Sequence, residues 1–234
     1  MIIGINGKIG SGKDTIGSII QCLINHPKVT NKDLLWMIEN NVVAEEYSKC
    51  EIKKFAGKLK EIASLLTGID VEKFEDQEFK KLEMPECWNR LQQSGRSKVW
   101  ASMTYRQFLQ ELGTEAMREG LHTNVWVNAL FADYKPLGKT FKDVSPVTGN
   151  VTFDTVGLFP NWIITDMRFP NEMEAVVEKG GITIRVVRPG TSTGTHPSEI
   201  ALDGHIMHYE IINDGTIEDL IEKVREILTK QGIL

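Results

Sequence analysis

The motif Gly7-Lys8-Ile9-Gly10-Ser11-Gly12-Lys13-Asp14-Thr15 carries the strongest structural signal in this sequence. It follows Met1–Asn6, an apolar segment typical of a buried strand, and it precedes residues 16–24, whose pattern favours a helix. A Gly-x-x-x-x-Gly-Lys spacing between a strand and a helix is the signature of a phosphate-binding loop, or P-loop. Its glycines let successive backbone N–H groups face one point, where the positive end of the helix also favours phosphate.

The loop is expected to bind the triphosphate of ATP through seven residues: Gly7, Gly10, Ser11, Gly12, Lys13, Asp14 and Thr15. The Lys13 ammonium would reach the β- and γ-phosphates and offset the charge that develops as the γ-phosphoryl group leaves. Asp14 occupies the place that usually holds Ser or Thr, and Thr15 comes one residue later. Either the Thr15 hydroxyl binds Mg²⁺ directly, which we favour, or Asp14 contacts the ion through water.

Strand-like and helix-like segments alternate along the rest of the chain. The clearest are strands at 51–55, 162–165, 182–187 and 209–212, helices at 57–66, 104–118, 124–134 and 171–179, and a final helix that Thr216 caps. Alternation of this kind predicts a mostly parallel sheet with helices on both faces. We therefore expect an α/β fold, the three-layer α/β/α arrangement of the P-loop NTPases, in a single domain over residues 1–234.

Two segments do not fit this alternation. Residues 70–103 are rich in charge, contain Trp88 and Trp100 and show no strong period, and we expect a helical flap that closes over the site and binds the acceptor. Residues 135–160 are rich in glycine and proline around the strand-like stretch 150–156, which predicts a surface β-hairpin insertion.

Composition narrows the classes of partner. The chain has 234 residues and a formal net charge of −5. A mildly acidic protein is a poor candidate for general binding to nucleic acid, which requires a basic face. The three cysteines are widely spaced and form neither a disulfide framework nor a metal motif. No signal-peptide pattern is evident, and no apolar run approaches the ~20 residues that span a bilayer. We expect a cytoplasmic protein without membrane or nucleic-acid partners.

Charged side chains near the expected strand ends are candidates for binding a phosphoryl acceptor. Asp166 follows the strand 162–165, at the edge where ligands bind in open α/β sheets, although it could instead cap the helix that begins near Pro170. Arg168 could bind a phosphate with two hydrogen bonds, or pair with Glu172 on the surface. Glu172 could contact the nucleoside, or be a first-turn acid that the helix dipole favours.

Two further arginines have informative positions. Arg106 lies in the first turn of the helix 104–118, where a positive charge is unfavourable for the helix dipole, and a bound phosphate would explain its placement. Arg188 belongs to an Arg-Pro-Gly loop after strand 182–187 and could lie over the adenine or against the donor phosphates. The apolar stripe of the helix 104–118 consists of Phe108, Leu109, Leu112, Ala116 and Met117.

A series of motifs, in order along the chain, resembles the bacteriophage deoxynucleoside monophosphate kinase family. The motifs are Ser11-Gly12-Lys13-Asp14-Thr15, Phe55-Ala56-Gly57-Lys58-Leu59-Lys60, Gln110-Glu111-Leu112-Gly113-Thr114, Thr165-Asp166-Met167-Arg168-Phe169-Pro170-Asn171-Glu172, Val187-Arg188-Pro189-Gly190, Thr195-His196-x-x-Glu199 and Ile212-Asn213-Asp214-Gly215. The resemblance covers most of the chain and is weakest at 27–49 and 137–160. It implies a nucleoside monophosphate kinase fold, transfer from ATP-Mg²⁺ to a deoxynucleotide and, from the phage relatives, a homodimer.

The resemblance also implies roles that the residues alone leave open. Lys60 would contact the acceptor phosphate, although a lysine on an amphipathic helix is more often solvated. Trp126 would stack on a base, although a tryptophan in an apolar helix is more often core. The remaining substrate-binding residues that it implies are Gly113, Thr114, His196 and Glu199.

The predicted catalytic residues are Lys13, Arg106, Asp166 and Arg168, with the acceptor between the last three. One alternative is another small-molecule P-loop kinase, such as one acting on dephospho-coenzyme A or shikimate. The other is an ATP-binding regulatory protein without an acceptor, against which the long flap and the second basic pair, Arg106 and Arg168, argue. No motif tells which base is preferred or whether ribonucleotides are excluded.

Overall fold

The computed structural model describes residues 1–40, 48–94, 97–137, 140–144, 151–155, 158–191 and 196–234, with the backbone alone described for 140–144 and 151–155. Parts of the predicted flap and hairpin, and Thr195 of the quoted motif, lie outside the described residues. The chain divides into a first unit, residues 1–54 with 131–234, and a second unit, residues 55–130.

Helices and strands alternate over most of the chain. In chain order they are β1 (Ile2–Gly7), α1 (Lys13–Asn25), α2 (Asn31–Glu39), β2 (Glu51–Lys53), α3 (Gly57–Thr67), β3 (Arg90–Ser94), β4 (Ser97–Ala101), α4 (Tyr105–Glu111), α5 (Val125–Phe131), β5 (Thr140–Val144), β6 (Val151–Thr155), β7 (Trp162–Ile164), α6 (Pro170–Glu178), β8 (Ile182–Val187), α7 (Pro197–Ile200), β9 (Tyr209–Ile212) and α8 (Ile217–Lys230). Three 3₁₀ helices span Val71–Phe74, Phe79–Lys81 and Glu86–Trp88, and a π-helix spans Leu112–Glu119.

The first unit contains a five-stranded sheet in the order β2-β7-β1-β8-β9. Each neighbouring pair in this sheet is parallel, with Gly4 opposite Ile164 and Gly7 opposite Val186. Because the strands all run the same way, their carboxyl ends lie along one edge, and β1, which leads into the phosphate loop, is central. The predicted α/β fold with a mostly parallel sheet is confirmed.

Helices cover both faces of this sheet. Ile3 and Ile5 of β1 are fully buried in one cluster with apolar residues of α1, α2 and α8. Gly4 faces the opposite side, where a Cβ atom would lie 3.0 Å from the Met167 sulfur and 3.3 Å from Val176 of α6. The alternation along β1 therefore sends successive residues to the two helical layers.

Local sequence explains the course and end of α1 and the start of α8. Buried Ile16, Ile19, Ile20 and Leu23 recur at helical spacing along α1, which ends before Pro27. Helix α8 begins at a capping box, in which Thr216 accepts from the Asp219 amide and Asp219 accepts from the Thr216 amide.

Aromatic rings close the amino-terminal end of β7. Trp162 is 1% exposed and packs against Phe131 and Tyr134, with ring centroids 6.0 and 4.7 Å away. Phe159 stacks on Tyr134 at 5.0 Å, and the Lys179 ammonium lies 4.9 Å from the Phe131 ring centroid. This aromatic cluster buries Trp162, the first residue of β7.

The second unit contains α3, α4 and most of α5, with the three 3₁₀ helices and an antiparallel ribbon of β3 and β4. Phe74 is fully buried and meets the rings of Phe79 and Tyr105 edge to face. Residues 70–103, predicted as a helical flap, thus combine short 3₁₀ turns with a strand pair. Their closure over a site stays a prediction.

The predicted helix 104–118 changes its winding half-way. It begins with Thr104 as N-cap and continues beyond α4 as the π-helix, where the Gly120 amide donates to the Glu115 carbonyl five residues back. The wider winding rotates the later side chains away from a 3.6-residue period. Ala116 of the predicted apolar stripe is therefore exposed, whereas Gly113 and Thr114 are buried.

Strands β5 and β6 form an antiparallel ribbon within the range predicted as a hairpin insertion, with Thr140 opposite Thr155. Its side chains, and residues 145–150 between the two strands, lie outside the described residues. In the part of the chain that the structure describes, no helix is long and apolar enough to cross a membrane.

Candidate phosphate-binding site

The loop after β1 has the backbone geometry that phosphate binding requires. Gly10 and Gly12 adopt φ values of 78° and 98°, in the left-handed region that favours glycine. The Ser11 amide donates to the Lys8 carbonyl at 3.2 Å, and the Ile16 amide donates to the Gly12 carbonyl at 2.9 Å, where α1 begins. The loop is thus a tight turn that delivers the chain into a helix N-terminus.

Close packing beneath the loop leaves one polar atom without a partner. A Cβ atom on Gly7 would lie 2.5 Å from the Ser11 hydroxyl and 2.6 Å from the Val186 carbonyl oxygen, so this position has no room for a side chain. Ser11 is fully buried, and its Oγ has no hydrogen-bond partner within the described part of the chain. An unsatisfied buried hydroxyl costs about 1–3 kcal/mol, and a phosphate oxygen that reached Ser11 Oγ would accept a hydrogen bond from it.

Lys13 lies at the centre of the charges at this edge. The side chain is largely buried, and Nζ donates to the Lys8 carbonyl at 2.7 Å. Burial, and next the nearby Arg168 guanidinium, lower the pKa of Lys13 from 10.5 to about 8. The carboxylates of Asp14, Glu199 and Asp166 act in the opposite direction. The structure therefore brings Lys13 together with four other residues predicted from the sequence.

Helix α7 supplies the carboxylate that pairs with Arg168. The guanidinium Nη1 donates to a Glu199 carboxylate oxygen and lies 3.5 Å from the Ser198 carbonyl oxygen. Glu199 is therefore an ion-pair partner of Arg168, whereas the sequence suggested Glu172 as one option. Lys8 of the loop reaches the same segment, with Nζ 2.5 Å from the Glu199 carbonyl oxygen and 2.6 Å from the Asp203 carboxylate.

Glu172 organises the turn before α6. Its carboxylate is buried and accepts from the amides of Arg168 at 2.7 Å and Phe169 at 3.1 Å. This is the first-turn role that the helix dipole favours. Helix α6 begins at Pro170 with Phe169 as its N-cap, so Asp166 is not that cap. A contact of Glu172 with substrate stays a prediction.

The two candidate magnesium ligands differ in their surroundings. Asp14 Oδ1 accepts from the Thr165 hydroxyl at 2.9 Å and lies 3.4 Å from the Lys54 ammonium. Thr15 is half-buried in the first turn of α1. Among the described residues, no three His, Cys, Asp or Glu side chains are grouped to hold a metal. A magnesium ion needs only one or two protein ligands when phosphates and water supply the rest, so Asp14 and Thr15 fit such an ion.

Loops from the neighbouring strands also approach the P-loop. Arg188 after β8 lies with Nη1 3.5 Å from the Gly10 carbonyl oxygen. Asn213 after β9 donates from Nδ2 to the Ser11 carbonyl at 2.8 Å. His196 caps α7, where Nδ1 accepts from the Ser198 amide at 3.2 Å. The predicted contact of Arg188 with ATP is therefore compatible with its position.

The second unit holds the other predicted acceptor residues. Lys60 pairs with Glu75 at 2.6 Å, and Arg106 donates to the Gln77 side-chain oxygen at 2.9 Å.

Trp126 is 4% exposed and donates from Nε1 to the Gly113 carbonyl at 2.8 Å, which is the environment of a core residue. A Cβ atom on Gly113 would lie 2.8 Å from a Leu59 methyl group, so a side chain there would require Leu59 to shift. Thr114 is buried. Substrate contacts of these residues stay predictions.

Sequence reasoning gave no role to Lys8, Asp203, Asn213 or Thr165. Asn213 had a detectable signal, because it follows a strand at the edge where ligands gather and precedes a glycine turn. Lys8 and Asp203 are 195 residues apart, and nothing in the local pattern of either residue indicates the other.

Comparison with known proteins places the chain in a family. Residues 74–224 match the deoxynucleotide monophosphate kinase family. The deoxynucleotide monophosphate kinases of Enterobacteria phage T4 and Escherichia phage RB69 are 32% and 30% identical over 53% of this chain and 44% of their own lengths. The deoxynucleoside-5′-monophosphate kinase of Escherichia phage T5 is 23% identical over 91% of this chain and 89% of its own length.

The chain spans about half the length of the curated relatives from T4 and RB69 that it matches. The family match nevertheless covers more than half of this chain, including Arg106, Asp166, Arg168 and Asn213. The chain belongs to the deoxynucleotide monophosphate kinase family.

Proposed function

We propose that this protein is a kinase that transfers the γ-phosphoryl group of ATP to a deoxynucleoside monophosphate and yields the diphosphate. The observation that carries the proposal is the P-loop at the carboxyl edge of the sheet, with buried Lys13 close to Arg168 and Asp166. The names of the phage relatives support the choice of a deoxynucleotide as acceptor.

The donor half of the reaction uses the loop and the first turn of α1. Backbone N–H groups and the Ser11 hydroxyl would bind the β- and γ-phosphates. Lys13 would leave the Lys8 carbonyl and donate to these phosphates, which offsets the charge that grows during transfer. Thr15 would bind a magnesium ion directly and Asp14 would contact it through water, and the ion would supply positive charge that neutralises the phosphates.

The acceptor half rests chiefly on Asp166 and Arg168 in the first unit. Arg168 presents a planar guanidinium suited to two hydrogen bonds with a phosphate, and Glu199 keeps it oriented near Lys13. An acceptor phosphate would share or replace Glu199 as the partner of this guanidinium. The predicted contacts of Lys60, Arg106, Gly113, Thr114, Trp126, Glu172 and His196 are retained as proposals.

The decisive experiment is an acceptor panel with ATP-Mg²⁺. We expect diphosphate formation with at least one of dGMP, dTMP, dCMP and dAMP, and no product from dephospho-coenzyme A or shikimate. Product from either of those two alone would identify a different small-molecule kinase. ATP binding without any phosphorylated product would instead identify a regulatory nucleotide-binding protein.

A matched pair of arginine variants tests the acceptor assignment. Arg168→Gln should raise the KM for the deoxynucleotide about tenfold or more, because it removes a charged phosphate contact, with a smaller change in the KM for ATP. Arg225→Gln is the control, because Arg225 on α8 donates to the Val29 carbonyl and the Asn31 side-chain oxygen. Equal changes in both variants would contradict a specific role for Arg168.

We further propose a homodimer that acts in the cytoplasm, on the basis of the family resemblance. Light scattering on the purified protein tests the oligomeric state, with a mass of twice 26.4 kDa expected. A single monomeric species over the micromolar range would contradict the dimer.

A further inference from the structure

Asn213 connects the end of the edge strand to the phosphate loop. It directly follows β9, and its backbone amide donates to the Val187 carbonyl of β8 at 2.7 Å. Its side-chain Nδ2 donates to the Ser11 carbonyl at 2.8 Å. Because the Asn213 backbone is hydrogen-bonded to β8, the position from which its side chain extends to the loop is fixed.

The hydrogen bond acts on one peptide unit of the loop. The Ser11 carbonyl and the Gly12 N–H belong to the same planar trans peptide, and they point in opposite directions. A donor that fixes the carbonyl therefore also fixes the N–H. With the Ser11 oxygen turned toward Asn213, the Gly12 N–H is directed away from Asn213, as a phosphate-binding turn requires.

Asn213 approaches Gly12 so closely that the hydrogen bond to Ser11 requires glycine at position 12. A Cβ atom on Gly12 would lie 2.6 Å from Asn213 Nδ2, and Gly12 also has a φ of 98°. A side chain at position 12 would thus displace the amide as well as strain the backbone. Gly12 of the P-loop motif and Asn213, which lies 201 positions later in the sequence, are thus packed directly against each other.

We propose that Asn213 is a positioning residue that holds the Ser11–Gly12 peptide so that the Gly12 N–H faces the phosphates of the donor nucleotide. The inference rests on the proposed function only in requiring that the loop binds a nucleoside triphosphate. It makes no claim about the acceptor, and its test does not use one.

The test measures donor binding by calorimetry with two probes, ATP-Mg²⁺ and magnesium tripolyphosphate. Tripolyphosphate has no nucleoside and reports on the loop alone. Asn213→Ala should raise the Kd for both probes by a similar factor, about five- to tenfold, because one orienting hydrogen bond is lost. Asn161→Ala is the matched control, since Asn161 Nδ2 also donates to one backbone carbonyl, that of Lys49, at 2.9 Å. Its Kd values should equal those of the wild type.

An isosteric variant adds a readout that a purely structural role would not give. Asn213→Asp replaces the donor with a carboxylate, which cannot donate when ionised and repels the Ser11 carbonyl oxygen. Its Kd for tripolyphosphate should exceed that of Asn213→Ala at pH 7. The ratio of the Asn213→Asp Kd to the wild-type Kd should fall as the pH drops toward about 4–5, because the protonated carboxyl can donate a hydrogen bond again.

Each other outcome overturns the inference or a defined part of the account. An unchanged Kd in Asn213→Ala rejects it. Weaker ATP binding with unchanged tripolyphosphate binding also rejects it, because Asn213 would then contact the nucleoside. Equal losses in Asn161→Ala would indicate general destabilisation and reject it as well. A wild-type protein that phosphorylates no deoxynucleotide, but shows the expected loss in Asn213→Ala, contradicts the proposed function alone.

Discussion

Aromatic rings surround the amino-terminal end of β7 at one edge of the five-stranded sheet, the aromatic edge, whereas charged side chains surround the phosphate loop at the opposite, carboxyl-terminal edge, the phosphate edge. Trp162, the first residue of β7, packs against Phe131 and Tyr134. Thr165, which directly follows the same strand, donates instead to Asp14 of the loop. One short strand thus begins in an apolar cluster and ends in a polar site.

The two edges differ in whether a bound ligand could relieve the cost of burying polar groups. At the aromatic edge, burial of large rings stabilises the fold, although it leaves the Trp162 indole N–H without a partner among the described residues. At the phosphate edge, burial lowers the pKa of Lys13 and leaves the Ser11 hydroxyl without a partner among the described residues. Both features disfavour the unliganded protein and would be relieved by bound phosphate, which is the behaviour expected of a binding site.

The largest expected effect comes from Lys13→Met, which should reduce kcat about a thousandfold or more by removing charge stabilisation from the transition state. The same variant should be more stable without ligand, by about 1 kcal/mol at pH 7. The folded-state pKa of Lys13, about 8, lies below its ordinary value of 10.5. Protonated Lys13 therefore destabilises the fold fully below pH 8, and the penalty declines as the pH rises from 8 to 10.5.

Urea unfolding of the wild type and of Lys13→Met at pH 7 and pH 10 checks the stability part, and a coupled assay checks the rate. The stability advantage of the variant should shrink at pH 10. A variant that is less stable than the wild type at pH 7 would contradict the account of Lys13, even if its activity is lost.

The second effect concerns the aromatic edge alone. Trp162→Leu should lower the free energy of unfolding by about 2–4 kcal/mol, because it removes much of a fully buried indole. The Kd for ATP, measured below the unfolding transition, should stay within about twofold of the wild type. A large loss of affinity in a variant that is still folded would show that the two edges are not independent.

A third and smaller effect is proton uptake on donor binding. Phosphate next to the Lys13 ammonium should raise its pKa above the value of about 8 in the unliganded protein. At pH 8.5, ATP-Mg²⁺ binding should therefore take up a fraction of a proton. Calorimetry in buffers of different ionisation enthalpy measures this number, and Lys13→Met should abolish it. Proton release by the wild type would contradict the prediction.

The smallest effect is expected from the Lys8–Asp203 pair. Its side chains are 21% and 56% exposed, so a double-mutant cycle with Lys8→Ala and Asp203→Ala should give a coupling of at most about 1 kcal/mol. The pair of Lys53 and Glu51 on β2, 2.6 Å apart and similarly exposed, is the matched control. Only the Lys8 variants should weaken ATP binding. Equal effects on ATP binding from both pairs would contradict a specific role for Lys8.

Patterns within short segments predicted the sheet and the loop. The bounds of β8 and β9 coincide with those of the segments rich in apolar and β-branched residues. The P-loop was predicted from the spacing of its glycines and Lys13. Helix α2 was not predicted because Leu34 is its one fully buried side chain, although Thr30 accepting from the Asp33 amide gives it a recognisable N-cap.

The features of the site that no local pattern predicted depend on contacts between residues that are far apart in the sequence. Asn213 and Ser11 are 202 positions apart, and their hydrogen bond depends on how β9 is placed relative to β1. Likewise, Glu199 pairs with the Arg168 guanidinium, because α7 is folded back toward the loop. The winding of the π-helix also depends on packing that no 3.6-residue pattern contains.

The most direct test of the phosphate edge is a crystal structure with a non-hydrolysable ATP analogue and magnesium. Lys13 Nζ now lies 2.7 Å from the Lys8 carbonyl oxygen. The account predicts that this ammonium moves to the β- and γ-phosphates, with the Gly12 amide on a phosphate oxygen and Asn213 still on Ser11. Triphosphate bound elsewhere, with Lys13 remaining on the Lys8 carbonyl, would contradict it.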